Sequence, residues 1–238
     1  MDESTGSALA ERIQRVRDTI ASAARRSGRR PDDVTLVAVS KTVGPDSVLE
    51  AARLGITHFG ENRVQEAAEK IVALAGQLPR VVQWHLIGHL QSNKARSAVR
   101  LFSCIESVDT VSLASLLDRL GRERETPVSV LLEVNVGGEA SKFGFAPTVL
   151  HEALAQIRTF PMVRVGGLMT VVPAAPEPEL ARPYFRALRE LRDRLMDEHP
   201  TAGLDQLSMG MTGDYAVAIE EGATSVRVGR AIFGERIA

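Results

Sequence analysis

The sequence predicts a single TIM-type (β/α)8 barrel, one domain over residues 1–238, with an extra helix ahead of the first strand. Three observations carry that prediction. A chain of 238 residues is close to the ~250 of one closed α/β barrel, so no second core is needed. Eight short β-rich runs alternate with stretches of helical period. The first, third and fifth runs are almost continuously apolar, as strands covered on both faces must be, whereas a sheet with one wet face alternates. An open doubly wound sheet is the competing architecture, but no G-x-G-x-x-G follows the first strand.

In chain order, Leu9, Ile13, Val16, Ile20 and Ala24 recur at spacings of three and four, which makes one apolar stripe on a helix over 8–24. The strand runs are VTLVAVS (34–40), THFGE (57–61), VVQWHLIG (81–88), LFSCIES (101–107), VSVLLEVNV (128–136), MVRVGGLMT (162–170), DQLSMG (205–210) and TSVRVG (224–229). Between them lie helical spacings such as Val64, Ala67, Ala68, Ile71 and Ala75, or Val149, Leu150, Ala153, Leu154 and Ile157. Disorder is confined to the first few residues and the Pro-rich stretch near 173–178.

Lys and Arg total 29 against 30 Asp and Glu, a net charge of −1, so no global positive field exists to attract nucleic acid or an anionic membrane. The single cysteine, Cys104, has no partner for an intramolecular disulfide and sits in an apolar run, which suits a buried, inert thiol and a reducing cytoplasm. The opening MDESTGSALAERIQ has neither a basic nor an apolar leader region, and no run approaches the ~18 apolar residues of a membrane span. The expectation is a cytoplasmic protein without a membrane anchor.

Barrel strands present reactive residues at their carboxyl ends. Lys41 directly follows LVAVS, at the rim of an apolar core, where partial desolvation and a nearby Arg favour the free amine that attacks an aldehyde. A strand-end lysine snorkelling to solvent accounts for that residue alone equally well. After the seventh and eighth strands, Ser208-Met209-Gly210-Met211-Thr212-Gly213 and Arg227-Val228-Gly229-Arg230 each lead into a helix. In TIM barrels these two loops are the usual phosphate site, because backbone amides and the helix dipole attract an anion together. The plainer alternative is that Thr212 caps its helix and the glycines serve turns. Arg227 is expected to point inward, donating to a ring nitrogen or pairing with a barrel carboxylate such as Glu133. His85 and His89 stand four apart, yet no ligand-type side chain flanks them and HExxH is absent, so no metal is expected there. Ser208 lacks the G-x-S-x-G setting of an acyl nucleophile.

At these same residues the chain resembles the pyridoxal phosphate homeostasis family, whose barrel is similar to the N-terminal domain of alanine racemase. LVAVSKT, HFGENRVQEA, WHLIGHLQSNK, LLEVNVGGEASKFGF, GGLMT and LSMGMTGDYAVAIEEGATSVRVGRAIFGER fall in the family's order over 34–236. The resemblance implies pyridoxal 5′-phosphate as cofactor and Lys41 as the lysine of its internal aldimine. It implies that Arg227 faces the pyridine nitrogen and that Asn62 and His85 line the ring pocket. It implies that Ser208, Thr212, Gly229 and Arg230 hold the phosphate, with Met209 also among the cofactor-binding residues. The family usually carries Thr where this chain has Arg230, which preserves a backbone amide and adds a guanidinium. The resemblance further implies a monomeric, non-catalytic binder in vitamin B6 and amino-acid homeostasis, serving recipient apoenzymes. An amino-acid racemase or lyase of low activity is the alternative. Alanine racemases take a catalytic tyrosine from a second domain, and here Tyr184 and Tyr215 both lie away from strand ends.

Overall fold

The computed structural model describes residues 3–139, 142–173 and 176–234. Eight parallel strands close into a barrel in sequence order: β1 (Thr35–Val39), β2 (His58–Glu61), β3 (Gln83–Leu86), β4 (Cys104–Val108), β5 (Val128–Glu133), β6 (Val163–Met169), β7 (Gln206–Met211) and β8 (Ser225–Val228). β8 closes on β1, with Val37 opposite Arg227. The helices are α1 (Glu3–Arg26), α2 (Pro45–Arg53), α3 (Val64–Ala73), α4 (Ala95–Leu101), α5 (Val111–Glu123), α6 (Leu150–Ile157), α7 (Arg182–Glu198), α8 (Tyr215–Glu220) and α9 (Arg230–Phe233). All eight predicted strands are present. The fourth starts late, at Cys104, because Leu101 completes α4. Of the stretch expected to be disordered near 173–178, residues 174 and 175 lie outside the described residues, as do residues 1 and 2; Pro178–Ala181 forms a 3-10 turn.

Successive strand residues face opposite sides, so each strand gives one set of side chains to the helices and one to the barrel interior. The helix-side set is apolar: Phe59 packs on Trp84 with ring centroids 5.4 Å apart, and Leu86, Ile105, Leu207, Val226 and Val228 are buried with them. α1 adds Leu9, Ile13, Val16 and Ile20, each worth ~1.5–3 kcal/mol on full burial. It packs chiefly on α8 and α9 beside the closing β8–β1 seam. There Arg12 Nε donates to the Ile232 carbonyl at 2.6 Å and Arg29 Nη1 to that of Ala223 at 2.7 Å.

Two helix faces differ from the periodicity reading. α3 buries Val64, Ala67 and Lys70, while Ala75 stands exposed past its end. Val149 is an exposed residue flanking α6, whose buried face is Leu150, Ala153, Leu154 and Ile157. Among the described residues, no helix is long and apolar enough to cross a membrane.

Candidate functional site

The carboxyl ends of the strands surround a cavity of about 520 Å3. Lys41 enters it from the end of β1, on the inward face already set by Val37 and Val39. Asn62 follows β2, Ile87 follows β3, Thr212 to Asp214 follow β7, and Gly229 and Arg230 follow β8; Arg227 reaches the floor from inside β8. Among the described residues, the backbone N–H groups of Thr212, Gly213, Gly229 and Arg230 meet no hydrogen-bond acceptor. They are therefore available to an anion. Asp214, not Thr212, organises the turn before α8: its Oδ1 accepts from the Met211 amide at 2.6 Å, and burial raises its carboxyl against that bond and the charge of Arg227.

Close backbone contacts keep the mouth in shape. A Cβ on Gly88 would stand 2.4 Å from the Asn62 carbonyl oxygen. Gly210 has φ +89°, and its Cβ would meet that of Ala218 at 2.5 Å, so only glycine lets β7 turn this tightly onto α8.

The loop bearing Lys41 is fixed from the helix side. Lys70 Nζ donates to the Ser40 carbonyl at 2.6 Å, to Glu61 Oε1 at 2.5 Å and to Glu66 Oε1 at 3.3 Å. The Ser40 hydroxyl donates to Glu61 Oε1 at 2.7 Å, and the Thr42 amide donates to Glu66. Burial keeps the Glu61 carboxyl above its usual range despite Lys70 and Ser40. Thr42 adopts φ +63°, a conformation a β-branched residue enters only when its surroundings impose it. Its hydroxyl donates to the Lys41 carbonyl at 2.6 Å, closing the bend that turns the chain after the lysine.

Beneath the cavity, the barrel interior is polar. Arg227 Nη2 donates to the Thr170 carbonyl at 2.6 Å and Nη1 to Ser208 Oγ at 2.5 Å. Ser208 Oγ donates in turn to Glu106 Oε2 at 2.5 Å. Glu106 Oε1 lies 2.7 Å from His85 Nδ1, and His85 Nε2 lies 2.9 Å from His58 Nδ1. A carboxylate only accepts, so His85 Nδ1 is the donor to Glu106. Burial pushes the Glu106 carboxyl up, but the bond and charge of His85, the charge of Arg227 and the Ser208 hydroxyl together hold it below the usual range. Burial draws the Arg227 guanidinium down, and the charges of Glu106, Glu133 and Asp214 oppose it. His58 is lowered by burial first and by His85 second.

The expected site residues thus separate into two layers. Lys41, Asn62, Thr212, Arg227, Gly229 and Arg230 line the cavity together. His85 and Ser208 lie below it, where Glu106 takes the ring nitrogen of one and the hydroxyl of the other. Met209 alternates with Ser208 on β7, so its side chain joins the helix-side core and does not line the cavity. Arg227 does pair with a barrel carboxylate, Glu106 at 3.9 Å, while Glu133, the example the sequence suggested, acts on it only through its charge. His85 and His89 do not converge: His89 Nδ1 is 3.0 Å from Asp109, and its ring stacks on Phe143. Sequence reasoning missed Glu106 and Lys70. Strand alternation was the signal for Glu106, since it places His85, Glu106, Ser208 and Arg227 on one face.

A closed eight-stranded barrel whose mouth joins a strand-end lysine to anion-ready amides defines the class of alanine racemase N-terminal domains, the family that residues 9–237 match. The pyridoxal phosphate homeostasis protein of Aquifex aeolicus is 44% identical over 226 residues, 95% of this chain and 97% of that one. A Bifidobacterium adolescentis protein described as unknown superposes with TM-score 0.91 at 36% identity, covering 98% of this chain and 97% of the other. PipY of Synechococcus elongatus, solved with pyridoxal phosphate bound, superposes with TM-score 0.83 at 37% identity, over 95% of this chain and 100% of PipY. The chain belongs to the pyridoxal phosphate homeostasis protein family.

Proposed function

We propose that this chain holds pyridoxal 5′-phosphate covalently on Lys41 and acts in intracellular homeostasis of that cofactor and of amino acids, without turning amino acids over. One convergence carries the reading: a strand-end amine, an inward arginine and four acceptor-free amides share one cavity. Its volume of about 520 Å3 falls among small-molecule sites. The names of the relatives agree, and PipY is solved with the same cofactor.

When bound, the cofactor supplies an aldehyde that condenses with an amine and a ring that withdraws electrons. The chain's own residues divide the remaining work. Lys41 supplies the amine, and the bend at Thr42 aims it. Thr212 and the amides of Gly213, Gly229 and Arg230 hold the phosphate, with the Arg230 guanidinium as a further donor. Asn62 flanks the ring. Arg227 would be the donor to a ring nitrogen and, always charged, would leave that nitrogen without a proton. His85, Glu106 and Ser208 act one layer down, fixing the guanidinium.

Two arguments support binding without turnover. A guanidinium at the ring nitrogen would weaken electron withdrawal by the ring. Tyr215 is buried in α8 and Tyr184 packs on the core from α7, so neither lines the cavity. Cytoplasmic residence, a monomeric state and transfer to recipient apoenzymes belong to the same proposal. The alternative, a racemase or lyase of low activity, would draw on a group such as Glu133, whose carboxyl burial and the charge of Asp109 lift to about 7 but which does not line the cavity.

The test is the absorption spectrum of freshly purified protein. A visible band that vanishes in Lys41→Ala is expected, and an unchanged band in that variant overturns the assignment. Release of α-deuterium from labelled amino acids well above the rate with free cofactor would decide for the enzyme.

A further inference from the structure

We propose that His151, Glu198 and His199 form a divalent-metal site of the zinc class that clamps α6 to the end of α7, outside the barrel. None of the three lines the cavity at the strand ends. Their ligand-capable atoms all lie within 4.8 Å of one another. His151 Nε2 is 3.2 Å from Glu198 Oε2, and the His151 and His199 rings lie 5.0 Å apart at 28°. The decisive atom is His199 Nε2, which is buried and meets no hydrogen-bond partner among the described residues. A buried imidazole nitrogen left in that state costs free energy until something binds it. A simple ion pair accounts for His151 and Glu198 and leaves His199 unexplained. A shared cation accounts for all three.

Position and donor set agree. Glu198 ends the 17-residue helix α7 and His199 caps it, with its amide on the Leu195 carbonyl. The carboxyl end of a helix carries partial negative charge, which favours a cation. Two imidazole nitrogens with one carboxylate suit zinc and its late first-row neighbours, whereas magnesium and calcium take oxygen ligands. Tetrahedral bonds of ~2.0–2.2 Å put ligand atoms roughly 3.4 Å apart. The side chains therefore need to close by about an ångström from the present spread, and His151 and Glu198, both 54% exposed, are free to turn. Three protein ligands leave a fourth position for water. The role is structural, because Arg158 Nη2 already donates to Thr201 Oγ1 at 2.6 Å between the same two segments. A metal would lock a junction now held by that bond, the His151–Glu198 pair and the stacked imidazoles.

The experiment uses untagged full-length protein stripped with chelator, titrated with Zn2+ by calorimetry and followed by thermal melting. One ion per chain, a higher melting temperature with Zn2+, and affinity that falls as pH drops through the imidazole range are expected. His151→Ala and His199→Ala should each weaken binding by roughly tenfold or more and abolish the melting shift. Both variants change the outer wall, and their circular dichroism without metal checks that the fold is kept. Absence of Zn2+ binding, binding unchanged in both variants, or equal binding of Mg2+ would each overturn the proposal.

Discussion

Arg227 and Glu106 lie 3.9 Å apart inside the barrel, and the Ser208 hydroxyl bridges them through two hydrogen bonds of 2.5 Å. Both side chains are almost wholly buried. Removing one partner strands the other's charge where water cannot reach it, and the cost of such a loss is about 3–5 kcal/mol.

Glu106→Gln should therefore destabilise the protein by about 3 kcal/mol, at the low end because Glu133 and Asp214 also act on Arg227. Ser208→Ala should cost about 2 kcal/mol, the worth of a hydrogen bond to a charged group. Since both substitutions remove the same bridge, the double variant should cost less than their sum in urea unfolding. Strict additivity would show that the three groups do not act as a unit.

Glu133 gives a signed pH dependence. Burial and the charge of Asp109 raise its carboxyl from 4.5 to about 7, against the pull of Arg227. The folded chain thus binds this proton more tightly than the unfolded chain does. Its contribution to stability is complete below pH 4.5 and is lost as pH rises through about 7, a change of about 3 kcal/mol. Stability of the wild type minus that of Glu133→Gln should fall across this window, and a flat difference would contradict the assignment.

Lys70→Met should destabilise by about 3 kcal/mol, because buried Glu61 then loses both counter-ion and donor and must hold an unpaired charge or take up a proton. Changing Glu61→Gln in the same chain should restore much of the loss. The same single substitution should weaken retention of added pyridoxal phosphate, measured by equilibrium dialysis, because Lys70 also holds the Ser40 carbonyl next to Lys41.

Gly210→Ala should cost about 3 kcal/mol from combined strain and overpacking. The added carbon would lie 2.5 Å from the Ala218 Cβ on a backbone at φ +89°. Gly213→Ala, three residues further on and facing nothing within 4 Å, should leave the melting temperature nearly unchanged.

The barrel was legible because its helix-side strand residues are apolar in a repeating pattern, from Leu36 to Val228, and that pattern depends on little beyond the sheet itself. The position of Lys41 was legible for the same reason: it continues the inward parity of Val37 and Val39. Ser208 and Met209 were harder. Reading their run as one loop ignores that β7 extends to Met211, which sends the two side chains to opposite faces. Lys70 was invisible to a hydrophobic count, since its burial depends on Glu61 and Ser40, residues that only folding brings beside it. Alternation turns Glu106 inward, but its partners on β3, β7 and β8 depend on barrel closure and register, which its own apolar run does not encode.

Trp84 is the sole tryptophan of the chain, and it lies against Phe59 on the outer face of the strand that carries His85 inward. Its emission consequently belongs to one known place, shielded from solvent until the staves of the barrel part. A coloured guest at the mouth would quench that glow by energy transfer, so filling and melting can both be followed with no dye attached.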